Sequence, residues 1–252
     1  MDAVADRAIV GGGTSEAQWL GWRGLASLPS VDASVLVPAT SRAVVVAPHP
    51  DDEVLSVGGL LVQLARLGRE IALVAVTDGR GSHDGSSDWT PERLKATRPQ
   101  ETARALQSLG VAVRPVRLGL HDGAVGAHEA ALAQPLGALL RAGEVVFTTF
   151  RGDGHPDHEA SARACAAAAA VTGARIVEVP VWAWHWAEPG DRRLPWHRAI
   201  HIELDTCACA CKQAAVQAFE SQLMPDASTG AAPILRPTTV ERTARPFEIL
   251  FT

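Results

Sequence analysis

Ala43-Val44-Val45-Val46-Ala47-Pro48-His49-Pro50-Asp51-Asp52-Glu53 is the stretch that decides the fold. Its first five residues are continuously apolar. Such a run predicts a strand buried on both faces, as in parallel sheets covered by helices. A polar turn follows at once, with a histidine, a proline and three successive acids. Val54, Val57, Leu61, Leu64 and Leu67 then recur at helical spacing, and Gly68 is placed as a C-cap. Strand, charged turn and helix form the opening of an α/β unit. Open α/β sheets place their ligands at the carboxyl ends of strands.

Outward from this unit the alternation continues. Residues 71–77 predict a buried strand, 78–90 a loop rich in Gly, Ser and Asp, and 92–109 a helix. A short strand at 115–118 precedes a helix at 128–142 and a buried strand at 145–149. An alanine-rich helix runs to about residue 170. Strands at 176–184 and 199–204 and a last helix at 207–223 complete the reading. The expected fold class is α/β: a Rossmann-like, mostly parallel open sheet with helices on both faces. Residues 1–40 stand apart. Gly11-Gly12-Gly13 precedes Thr14 or Ser15 as the cap of a short helix carrying Trp19, Leu20, Trp22 and Leu25. The expected organisation is an N-terminal arm (1–40) on one domain (41–252).

The chain has 252 residues, 47% apolar and 20% charged, enough for a large core. Its net charge of −5 argues against nucleic-acid partners, which need a basic face. No apolar run reaches the ~18 residues of a membrane span, and no secretion signal is visible. Of four cysteines, Cys207, Cys209 and Cys211 crowd together, which suits a reducing cytoplasm better than a disulfide framework. In a helix Cys209 points away from the other two, so small apolar packing is favoured over a metal site. The Trp-bearing arm makes homo-oligomer contact possible.

Two clusters carry the chemistry. In the first, His49 offers a ring nitrogen, and Asp51 and Asp52 offer carboxylates. Neighbouring residues at a turn point in different directions, so one acid can bind a cation while the other faces water. Simple helix capping is the competing use. In the second, 145–149 leads through a polar loop to His155-Pro156-Asp157-His158, where Pro156 suits a first helical turn. His155 and His158 face one cleft if the helix begins between them. Each cluster follows a buried strand, so both lie on one sheet edge.

These residues resemble the PIG-L/LmbE-like family of zinc-dependent N-deacetylases. Ala47-Pro48-His49-Pro50-Asp51-Asp52-Glu53 is similar to that family's A-H-P-D-D-E segment, with one extra proline, and His155-Pro156-Asp157-His158 matches its H-x-D-H segment. Weaker agreements are Thr77-Asp78-Gly79, Arg98-Pro99-Gln100-Glu101, and Lys212 with Ser221-Gln222. The resemblance implies that His49, Asp52 and His158 bind Zn2+, that Asp51 is the general base, and that His155 stabilises the oxyanion or assists proton transfer. It implies that Arg98 and Asp122 hold substrate hydroxyls or the sugar ring, and that the partner is a small N-acyl amino sugar or glycoconjugate. Fe(II) or Co(II) suits the same ligands. Another amide conjugate, or a non-catalytic sugar- or metal-binding role, are the alternatives. Ser56 lacks a G-x-S-x-G elbow, and no G-x-G-x-x-G follows a strand, which argues against a serine hydrolase and a dehydrogenase. Trp182, Trp184 and Trp186 share a face if their strand continues, and His185 among them is placed to approach the site. The 78–90 loop, with Trp89, is a candidate lid.

Overall fold

The computed structural model describes residues 7–252. Helices α1 (Glu16–Gly21), α2 (Arg23–Ala26) and α3 (Ala33–Leu36) precede β1 (Ala43–Ala47) and α4 (Asp52–Arg66). Then come β2 (Ile71–Thr77), α5 (Pro91–Ser108), β3 (Val116–Leu120), α6 (Glu129–Leu139), β4 (Val145–Thr149) and α7 (Pro156–Thr172). The chain finishes with β5 (Arg175–Val179), α8 (Ala183–Trp186), β6 (Ala199–Glu203), α9 (Thr206–Val216), α10 (Glu220–Leu223), α11 (Pro237–Arg242) and β7 (Phe247–Phe251).

The strands form one sheet in the order β3-β2-β1-β4-β5-β7-β6. β1 through β5 pair in parallel, and β7 runs antiparallel to both β5 and β6. From β1 the chain steps outward to β2 and β3, then returns to the other side of β1 as β4. The direction of winding therefore reverses between β1 and β4, and their carboxyl ends open the crevice where such sheets bind ligands.

Alternation along β1 divides the core. Val45 faces Leu60, Leu61 and Leu64 of α4, while Val44 and Val46 join Leu132 and Leu136 of α6 and Cys165 of α7. Each fully buried Leu or Val contributes about 1.5–3 kcal/mol of transfer free energy, so helices on both faces lock the sheet edge carrying the site. A third cluster gathers Trp19, Trp184 and Phe251. Ser15 caps α1 in a capping box with Gln18. Trp19 stands edge-to-face with Trp184 at 4.8 Å and donates Nε1–H to the Trp184 carbonyl.

α4 is not one continuous helix. Val57 leaves helical geometry at φ −131°, and the N–H groups of Gly59 and Leu60 turn to the Glu248 carboxylate at 2.7 and 2.9 Å. A Cβ on Gly59 would lie 2.3 Å from Leu204, so only glycine admits this approach.

Three expectations are corrected. The strand expected at 176–184 ends at Val179. Pro180 has no N–H for the ladder, and the N–H groups of Val181, Trp182 and Ala183 turn to the Asp153 carboxylate at 2.9 Å, which starts α8 instead. The three tryptophans therefore share no strand face. The expected helix 207–223 breaks after Val216 into α9 and α10, and a C-terminal strand, β7, pairs into the sheet. No helix among the described residues is long and apolar enough to cross a membrane.

Candidate metal centre and catalytic cleft

The β1–α4 turn and the start of α7 meet at the carboxyl ends of β1 and β4. His49 Nδ1, Asp52 Oδ2 and His158 Nε2 form a triangle. Its sides are 3.2 Å between the two nitrogens, 3.3 Å from His49 to Asp52 and 3.2 Å from His158 to Asp52. Metal–donor bonds of about 2.0–2.1 Å at tetrahedral angles put donors roughly 3.3 Å apart, so the three atoms match one face of such a coordination sphere. Asp52 opens α4, where the dipole favours its charge, and Oδ2 also accepts the His49 N–H at 2.9 Å. These residues can hold a divalent cation with a position open toward the cleft.

The far side of each imidazole is also engaged. His158 Nδ1 meets Asp153 Oδ2 at 2.8 Å, and His49 Nε2 meets Asp122 Oδ1 at 3.1 Å and Asp157 Oδ2 at 3.2 Å. A carboxylate on the second nitrogen fixes tautomer and ring orientation. His49, Asp122 and Asp157 also cluster closely enough to ligate an ion. However, Asp157 already accepts the N–H groups of Gly123 and Val125, at 2.7 and 3.1 Å. It ties the 121–125 loop to His49.

Asp51 occupies the turn at φ 129°, and among the described residues it alone is a non-glycine at positive φ. Two contacts hold that strained backbone: its N–H donates to Glu53 Oε2 at 3.1 Å, and its Oδ2 accepts from Arg98 Nη2 at 3.0 Å. Arg98 is buried and also donates to the carbonyls of Gly79 and Pro50. Gly79, at φ +64°, must be glycine, because a Cβ there would meet the guanidinium. Glu101, one turn further along α5, accepts Ser221 N–H and Oγ–H at 2.8 and 2.7 Å and anchors α10.

His49, Asp51, Asp52, Arg98, Asp122 and His155 line one cleft of ≈ 310 Å3, and His158 is fully buried beside it. Gly81, Ser82 and Gln222 add polar groups to its lining, while Leu55, Trp182, Ile234 and Leu235 add apolar ones. His185 does not reach it; its Nε2 lies 2.9 Å from the Val10 carbonyl, and its ring packs on Gly13. The 78–90 loop reaches the cleft through Gly81 and Ser82, while Trp89 lies under the Arg93 guanidinium.

Burial pushes the Asp51 carboxyl up to about 8, against the pull of Arg98. Burial likewise raises Glu53 to about 7. Burial lowers His155 to about 3, helped by the charges of His158 and His49, so this ring is neutral near pH 7. Its Nδ1 accepts the Asp157 N–H, which leaves the ring proton on Nε2. Burial opposes the charge of Asp52, but His158 and His49 hold its carboxyl below the usual range.

His158 supplies a pH prediction for the cation-free protein. Burial alone would lower its pKa, but the Asp52 charge and the hydrogen bonds to Asp153 and Asp52 outweigh it and raise it from 6.5 to about 9. The folded form therefore binds this proton more tightly than the unfolded chain. The resulting stability is fully present below about pH 6.5 and is lost as pH rises through about 9. The melting temperature of chelator-treated protein is expected to fall across that window. A flat or rising profile would contradict this.

Asp153 was not singled out from the sequence. It is fully buried and accepts three backbone N–H groups besides His158. Its position just before His155-Pro156-Asp157-His158 was the available signal. Asp153→Asn is expected to weaken cation affinity about 10–100-fold, read by titration with a competing chelator; an unchanged constant would remove Asp153 from the centre.

A family model described as GlcNAc-PI de-N-acetylase (PIG-L) matches residues 44–169. A 1D-myo-inositol 2-acetamido-2-deoxy-alpha-D-glucopyranoside deacetylase of Corynebacterium diphtheriae is 28% identical, across 72% of this chain and 76% of its own. A protein of the same description from Mycobacteroides abscessus is 30% identical across 47% of this chain, which spans about half (52%) of that relative. A solved deacetylase of the teicoplanin biosynthesis pathway shares the fold: TM-score 0.63, 19% identity, covering 84% of this chain and 97% of its own.

Proposed function

This chain belongs to the GlcNAc-PI de-N-acetylase (PIG-L) family, and from that membership we propose a reading of its site in which zinc and seven side chains divide the chemistry. The enzyme is a metal-dependent hydrolase that removes the N-acetyl group of an N-acetylglucosamine-containing substrate. The observation that carries the site reading is the triangle of His49 Nδ1, Asp52 Oδ2 and His158 Nε2, with sides of 3.2–3.3 Å, buried against a polar cleft. Two histidines and one carboxylate are the donor set of a catalytic zinc site. When bound, the cation lowers the pKa of water toward ~7 and draws charge from the amide carbonyl.

The remaining steps belong to the chain. Asp51 accepts the proton of the attacking water. Arg98 grips Oδ2, so Oδ1 is the oxygen that takes it. A carboxyl poised near neutrality can both accept that proton and return it to the leaving amine. His155 donates Nε2–H to the oxygen that gains charge as the acyl carbon becomes tetrahedral. Asp122, held by Gly81 N–H at 2.9 Å, receives a sugar hydroxyl. Arg98 acts through Asp51 as a positioning residue. The polar lining groups suit sugar hydroxyls, and Trp182, Leu55 and Leu235 suit the apolar face of a pyranose. The four cysteines are free, in keeping with work in a reducing cytoplasm.

Acetate release tests this reading. N-acetylglucosaminyl-inositol and simple N-acetylglucosamine glycosides should release acetate, chelation should stop the release, and added Zn2+ should restore it. Release that is indifferent to chelator would refute the metal mechanism.

A further inference from the structure

Behind the catalytic cleft lies a second cavity of ≈ 40 Å3, and Leu55 belongs to the walls of both. Its lining is cationic: Lys212, Arg242 and Arg245 contribute to it, each more than nine-tenths buried. Two carboxylates answer these three cations. Glu248 meets Lys212 Nζ at 2.6 Å and is further occupied by the N–H groups of Gly59 and Leu60. Glu16 takes Arg245 through both oxygens, at 2.6 and 2.8 Å.

Arg242 is left with long contacts. Its Nη2 lies 3.4 and 3.3 Å from the carbonyls of Thr14 and Trp184. Its Nε is buried 3.6 Å from Glu16 Oε2, without a hydrogen-bond partner among the described residues. Glu241, the adjacent acid, is exposed. The cavity thus holds one more buried positive charge than its carboxylates neutralise. Burying a charge without a matched partner is costly. Burial, with the nearby Arg245 charge, draws Arg242 down to about 9. The space is enough for roughly two or three waters or one small ion.

We propose that this cavity binds one small monovalent anion, held chiefly by Arg242. Two sources share that chemistry: a halide from the medium, or the acetate that deacetylation releases on the other side of Leu55. Only the second source rests on the function proposed above.

Crystals of the intact protein soaked in sodium bromide are expected to show an anomalous peak in this cavity, within ~3.5 Å of the Arg242 guanidinium. In solution, bromide replacing a bulky organic sulfonate at constant ionic strength is expected to raise Tm saturably. The rise should be about 3 °C at tenfold excess over the dissociation constant, and Arg242→Met should abolish it. If that variant does not fold, the bromide peak and saturable shift of the parent still decide. Acetate that displaces the bromide peak assigns a carboxylate occupant; a peak that survives acetate assigns a halide. A cavity without a peak, or a shift that persists in Arg242→Met, overturns the proposal. Neither measurement uses turnover, so an inactive enzyme would leave this inference standing.

Discussion

Asp51→Asn is expected to keep its cation and lose at least ~10²–10⁴-fold in kcat, the usual contribution of a positioned general base. Asparagine preserves the shape of the side chain and tolerates the positive φ of this turn. It can still receive the Arg98 Nη2 hydrogen bond through its amide oxygen, which lies 3.0 Å away in the parent. What it cannot do is accept and return a proton. The fold, the cation content and the melting temperature should therefore stay near those of the parent while acetate release collapses. Near-normal turnover would reassign the base, and Glu53, raised by burial to about 7 and reaching the Asp51 N–H, would be the next residue to test.

His158→Ala is expected to be the more damaging change. It removes one corner of the donor triangle and leaves Asp52 and Asp153 as buried carboxylates with a vanished partner. Breaking a buried charged pair from one side costs about 3–5 kcal/mol. Cation content should drop below stoichiometric detection, turnover should vanish, and the melting temperature should fall. His49→Ala should lose cation and turnover in the same way, and it also frees Asp122 and Asp157 of the ring they share. The contrast with Asp51→Asn is diagnostic, since both changes stop the reaction but only the histidine changes empty the centre. Metal analysis and calorimetry on the three variants separate them. A fully loaded His158→Ala protein would mean that the cation binds elsewhere.

Much of this was legible in the sequence because local rules carried it. The apolar run 43–47 reads as a covered strand, and it is β1, the middle one of the five parallel strands. His155-Pro156-Asp157-His158 reads as a helix start, and α7 begins at Pro156 with His155 as its cap. What was not legible acts through space. Nothing near Trp182 in the sequence says that a carboxylate 29 positions earlier takes its N–H and ends β5. The break in α4 depends on Glu248, nearly two hundred residues away, and on the Leu204 side chain pressed against Gly59. Arg98 shows the same limit. The resemblance implied a residue for substrate; the sequence held no sign that its fork meets the carbonyls of Pro50 and Gly79 and the Asp51 carboxylate, contacts that exist only once β1 and α5 are packed together.

Diffraction from zinc-loaded crystals, recorded on both sides of the zinc absorption edge, locates the cation outright. One strong anomalous peak is expected within about 2.2 Å of His49 Nδ1, Asp52 Oδ2 and His158 Nε2. A peak on the opposite side of the His49 ring, among Nε2, Asp122 and Asp157, or no ordered zinc in the cleft, would contradict it.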